Sequence, residues 1–112
     1  MMHNVYKGFE IAEIIHAKLI SHSPESIEIS DILIDSRRLI SAKGALFFAL
    51  TSKKNDGHKY IEDLYSKGIR CFVVSKLSDE HLHLPNSSFF VVENTLEALQ
   101  RLAAGHRKKY KI

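Results

Sequence analysis

The chain has 112 residues, 45% of them hydrophobic and 26% charged, which excludes a disordered chain and leaves room for one compact domain with a real core, not two. Its net charge of +3 is uneven: Arg101, Arg107, Lys108, Lys109 and Lys111 fall in the last twelve residues with no acid among them, and without those five the eleven basic residues left face thirteen acidic ones. A nucleic-acid surface would not vanish with one tail, so nucleic acid is not an expected partner, and the basic end reads as the solvated end of a helix.

In chain order, Phe9, Ile11, Ile14, Ile15 and Leu19 fall near helical spacing and predict an amphipathic helix over about residues 9–19. Ser21–Ser26, with Pro24, ends it. IEISDILIDS then alternates, with a slip at Ser30–Asp31 of the kind a bulge produces, and predicts a strand. After a turn at Lys43-Gly44, the run ALFFAL is short, apolar and continuous, as a strand buried on both faces should be. Tyr60, Ile61, Leu64 and Tyr65 predict a helix with Gly68 at its C-terminal end. IRCFVVS and SFFVVE repeat the buried-strand pattern, separated by a loop with one helical turn near Ser78–His81. Leu96, Leu99, Leu102 and Ala103 make the stripe of a last helix capped by Asn94 or Thr95. Buried strands alternating with helices define an α/β class: a small, mainly parallel sheet flanked by helices.

The single cysteine, Cys71, lies in an apolar strand and reads as a small packing residue. No cationic leader and no apolar run near ~18 residues occurs, so the expectation is a cytoplasmic, soluble protein without membrane insertion. Seven histidines invite a metal reading, yet the His81-x-His83 pair lacks carboxylate or cysteine partners at ligand spacing, and no metal site is expected. A Ser36–His58–Asp35 hydrolase would lack the G-x-S-x-G elbow. Neither G-x-x-x-x-G-K-[ST] nor G-x-G-x-x-G is present, so no ATP-binding P-loop or dinucleotide fingerprint is expected in this chain.

Two polar stretches follow predicted strands, where parallel sheets collect ligands. Asp35-Ser36-Arg37 offers a hydroxyl and a guanidinium that can fork onto a phosphate or carboxylate; alternatively Asp35 caps a turn and Arg37 is solvated. Thr51-Ser52-Lys53-Lys54-Asn55-Asp56-Gly57-His58 combines two lysines with a turn and a helix start, which suits a diphosphate; alternatively the lysines are only solvated. Two such loops on one sheet edge support a shared site.

The ordered set DSR, GALFFAL, NDGHKYI, KGIRCFVVS and FFVVENTLEALQRLAAGHR, over about residues 30–109, resembles the N-terminal domain of the Mur ligases. That resemblance implies a domain holding the UDP part of a UDP-N-acetylmuramoyl-peptide during peptidoglycan precursor synthesis. A central domain would bind ATP and Mg²⁺ and activate the peptide carboxylate as an acyl phosphate, and a C-terminal domain would help bind the incoming amino acid or dipeptide. The pattern lies nearest the branch that adds the terminal D-alanyl-D-alanine to the tripeptide. By this reading residues 1–112 are a single substrate-binding domain of a longer ligase, partnered by its own central domain and not catalytic alone. Carried over residue by residue, the resemblance places Ser36 and Arg37 on the uridine or phosphate side. It lines the uracil or ribose with Thr51, Ser52, Lys53, Lys54 and Asn55, adds His58 from the D-G-H motif, and gives Asp35, Asp56 and Gly57 supporting roles. Ser52 stands where the family usually has glycine, and Lys43-Gly44-Ala45 where it has Pro-Gly. DILIDSRRL and LYSKGIRCFVVS also resemble a form fused to an alanine racemase, which would bring in pyridoxal phosphate without using any residue of this chain. The rival reading from the residues is an α/β interaction module whose basic C-terminal helix meets an acidic partner.

Overall fold

The structure, a computed structural model, describes residues 6–21, 27–34, 44–51, 56–82 and 84–109, without the side chains of residues 80, 82 and 106–109. The main sheet has five strands in the order β2 (Lys18–Ser21), β7 (Ser88–Val91), β6 (Cys71–Val74), β5 (Ala45–Phe48), β4 (Asp31–Leu33). The last four run parallel, and β2 closes the β7 edge antiparallel, Leu19 opposite Phe90. The expected α/β architecture with a mainly parallel sheet is what forms.

Strand period explains the two cores. Ala45, Phe47, Phe72, Val74 and Phe89 face one side, where Ile61, Leu64 and Ile69 of the β5–β6 crossover pack on them. Leu46, Phe48, Val73 and Phe90 face the other, against Ile11 of α1 (Gly8–Ile14), Ile15 just past its end, and Ala98 and Leu102 of α4 (Thr95–Lys109). Continuous apolar runs are therefore required in β5, β6 and β7, because both faces are covered. Phe72 stacks on Phe89 at 5.5 Å between centroids and meets Phe47 edge-on.

The predicted ends of the later helices hold. A 3₁₀ turn, Gly57–Tyr60, runs into α2 (Ile61–Ser66). Gly68 takes a φ of 108°, its N–H donates to Tyr65 O at 3.0 Å, and the Ile69 N–H reaches Leu64 O at 3.0 Å, a Schellman stop. Asn94 Oδ1 accepts from the Glu97 N–H at 2.9 Å and caps α4. The single turn expected near Ser78 is α3 (Asp79–Leu82).

Two expectations fail. The helix predicted over 9–19 stops at Ile14; His16 has a φ of 57°, and Lys18–Ser21 turns into β2. Pairing along the open edge of β7 outweighs continuation of the helical stripe, and Phe9, counted in that stripe, is 67% exposed. The single strand over IEISDILIDS is two strands in different sheets. β3 (Glu28–Ile29) pairs antiparallel with β1 (Tyr6–Lys7), while β4 joins the main sheet. The slip at Ser30 is the changeover between sheets rather than a bulge: both the Ser30 and Asp31 N–H groups donate to Gly44 O, at 2.9 and 3.2 Å.

Candidate functional site

Because β4, β5, β6 and β7 are parallel and adjacent, their C-terminal ends lie side by side on one edge. β4 and β5 are direct neighbours, Leu33 opposite Phe47, so the chain leaves the sheet toward Asp35-Ser36-Arg37 and toward Thr51 at the same edge. Asp35, Ser36, Arg37, Ser52, Lys53, Lys54 and Asn55 themselves lie outside the described residues. Thr51, Asp56, Gly57 and His58 are described, and they form one tightly bonded unit.

Thr51 and Asp56, which flank residues 52–55, form a single antiparallel bridge. Asp56 caps the 3₁₀ turn: its Oδ1 accepts from the His58 backbone N–H at 3.0 Å, with Thr51 Oγ1 at 3.5 Å. Gly57 sits directly on the exit of β5, its N–H donating to Leu50 O at 2.7 Å; a Cβ there would lie 2.8 Å from Leu50 N and 2.9 Å from Leu50 O. Only glycine lets these two backbones meet so closely. This accounts physically for the Asp-Gly pair assigned a supporting role.

His58 is buried, 7% exposed, and both ring nitrogens are used within the chain. Nε2 accepts the Ser75 backbone N–H at 3.1 Å, so Nε2 carries no proton; the ring proton is on Nδ1, which donates to Asp56 Oδ1 at 2.6 Å. Lys76, the next residue of the β6 exit, places Nζ 2.7 Å from Asp56 Oδ2. That ammonium, with the backbone and ring N–H groups of His58, holds the Asp56 carboxyl well below the usual carboxylate range, against the opposing effect of burial. The loop after β5 is thus tied to the turn after β6.

Ser75 and Lys76 were not among the residues singled out in the sequence. Their signal was positional: they directly follow the apolar run of β6, whose end falls between the exits of its neighbours. The same edge carries a shallow polar dent of about 210 Å³ at the β7–α4 corner, lined by His16, Glu93, Asn94, Glu97 and Arg101. Its cation is spoken for, with Arg101 Nη2 2.8 Å from Glu97 Oε1. Among the described residues no group of three or more histidines, cysteines or carboxylates is placed to hold a metal ion, and no helix is long and apolar enough to cross a membrane.

A mainly parallel sheet covered by helices on both faces defines an α/β domain. The chain belongs to the Mur ligase family: the family described as "Mur ligase family, catalytic domain" matches residues 28–107. Over 100 residues the chain is 34% identical to the UDP-N-acetylmuramoyl-tripeptide–D-alanyl-D-alanine ligase of Haemophilus influenzae, covering 89% of this chain and 20% of that one. Over 78 residues it is 32% identical to the UDP-N-acetylmuramoyl-L-alanyl-D-glutamate–2,6-diaminopimelate ligase of Clostridioides difficile, covering 70% of this chain and 16% of that one. A crystal structure of MurF from Acinetobacter baumannii shares the fold with a TM-score of 0.79 at 23% identity, over 99% of this chain and 23% of that one. The chain spans about a fifth of the length of the curated relatives it matches.

Proposed function

We propose that this chain is the UDP-binding part of a ligase that adds D-alanyl-D-alanine to UDP-N-acetylmuramoyl-tripeptide in peptidoglycan precursor synthesis. The observation that carries the reading is that β4 and β5 are parallel neighbours leaving the sheet at one edge; in sequence, Ser36 and Arg37 follow the first and Lys53, Lys54 and Asn55 follow the second. The ends of that second loop are fixed by the Thr51–Asp56 bridge and the bonds of His58. Hydroxyls and an amide suit the uracil and ribose, while a guanidinium and two ammonium groups suit the diphosphate. Asp35, Asp56 and Gly57 shape the two walls.

The relatives' names support the dipeptide-adding branch, and a diaminopimelate-adding relative, whose name also carries a UDP-linked muramoyl peptide, fits a domain that holds the shared UDP part. ATP and Mg²⁺ belong to the remainder of the ligase, since this sequence has no P-loop. The central domain is the partner that completes catalysis, the chain alone is inactive, and the working compartment is the cytoplasm. A racemase fusion, with its pyridoxal phosphate, would touch none of these residues.

The test is a titration of the ¹⁵N-labelled chain with UDP and with UDP-N-acetylmuramoyl-tripeptide. Amide shifts should concentrate in residues 35–37 and 51–58. Affinity should be weak, because the other domains normally add contacts. Silence in both segments at millimolar ligand would refute the assignment.

A further inference from the structure

We infer that His58 is the positioning residue of this edge: its Nδ1–H imidazole latches the loop after β5 to the turn after β6, and a second proton on the ring opens the latch. Asp56 Oδ1, His58 Nδ1, His58 Nε2, the Ser75 N–H and the Lys76 ammonium form a closed circuit that returns to Asp56 Oδ2. The bond to Ser75 is a side chain gripping main chain, so it sets where the β6 exit lies relative to Thr51 and Gly57. Nothing else described joins those two loops except the Lys76–Asp56 pair, whose ammonium side chain is 68% exposed and weakly held.

The latch works only with a neutral ring. An imidazolium has two donors and no acceptor. Its Nδ1–H would strengthen against the Asp56 carboxylate, but its Nε2–H would point at the Ser75 N–H, donor against donor. The charged groups facing the ring are the Asp56 carboxylate, at Nδ1, and the Lys76 ammonium, which meets the other oxygen of that carboxylate. Protonation therefore breaks one specific bond: the ring stays with Asp56 and lets go of Ser75. Resting on the UDP-binding reading, the opened latch would loosen one wall of the proposed pocket and lower its affinity.

The experiment uses the ¹⁵N-labelled chain. Long-range ¹H–¹⁵N correlations should show His58 protonated at Nδ1 and bare at Nε2 in the neutral state. As pH is lowered, Ser75 amide protection should fall about tenfold with the same midpoint as the ring, while Val73, inside β6, keeps its protection. An Nε2–H tautomer, or Ser75 protection indifferent to the ring's titration, would overturn the inference. His58→Gln, whose amide oxygen accepts but does not titrate, should remove the pH dependence at Ser75; if that variant fails to fold, the wild-type titration decides alone. Binding is read with UDP-N-acetylglucosamine, whose diphosphate is a diester with no proton to gain in this range. Affinity should drop on protonation in the wild type and not in His58→Gln. Equal affinity on both sides of the midpoint with the Ser75 bond lost would overturn the positioning role. No binding at either pH, with the ring and Ser75 behaving as stated, would refute the UDP reading and leave the latch standing.

Discussion

Asp56 serves four donors with one carboxylate, so Asp56→Ala should be costly for a residue a third exposed. Losing the cap on the 3₁₀ turn costs about 1 kcal/mol. Leaving the buried His58 Nδ1–H without its acceptor costs about 1–3 kcal/mol. The exposed Lys76 pair adds no more than about 0.5 kcal/mol once solvent screening is allowed for. Since one group serves all three, the parts do not simply add, and about 2–4 kcal/mol is expected. Asp56→Asn keeps an oxygen for the cap and for Nδ1–H and gives up only the charge, so it should cost about 1 kcal/mol or less. Urea unfolding at pH 7, followed by far-ultraviolet circular dichroism, measures both. An Asp56→Ala loss below about 0.5 kcal/mol, or an Asn variant as damaged as the Ala variant, would refute the assignment of these bonds.

Acid should act through the same carboxylate. Its folded-state pKa lies below its unfolded value of about 3.9, so its stabilisation is complete above about pH 5 and is lost as pH falls below 4. Urea midpoints between pH 7 and pH 3 should fall more steeply in the wild type than in Asp56→Asn, and equal slopes would contradict the lowered pKa. The Cys71 thiol is pushed up to about 11 by burial, so it should react with a disulfide reagent at pH 8 at least ~100-fold more slowly in the native chain than in urea. Comparable rates would show the thiol to be open. Phe72→Ala, stacked on Phe89 and edge-on to Phe47, should lower stability by about 3–5 kcal/mol, and a loss below about 1 kcal/mol would contradict the packing.

The parts of the fold readable in the sequence are those whose cause is local. ALFFAL, CFVV and FFVV are apolar without interruption because both sheet faces are covered, and Asp56, Gly68 and Asn94 mark helix ends by their own hydrogen bonds. What escaped depends on partners far along the chain. Lys18–Ser21 is a strand because β7 offers an open edge 67 residues later, where Ser21 Oγ meets Ser88 Oγ at 2.8 Å, and Leu19 alone fits the helical stripe just as well. Ser30 divides two sheets, which alternation cannot reveal because both halves keep a period of two. In the site, Asp-Gly-His was visible as a unit, but its use was not: His58 looked free to meet a ligand, whereas its two nitrogens hold Asp56 and Ser75. Ser75 is 17 residues from His58, and only the adjacency of β5 and β6 brings them together.

The central claim is that the exits of β4 and β5 form a uridine-diphosphate site, and a crystal structure of the chain with UDP bound tests it most directly. The account predicts the nucleotide against residues 35–37 and 51–55, with the Asp56–His58–Ser75 bonds intact beneath it. UDP seated elsewhere, for example in the dent between His16 and Arg101, would contradict it.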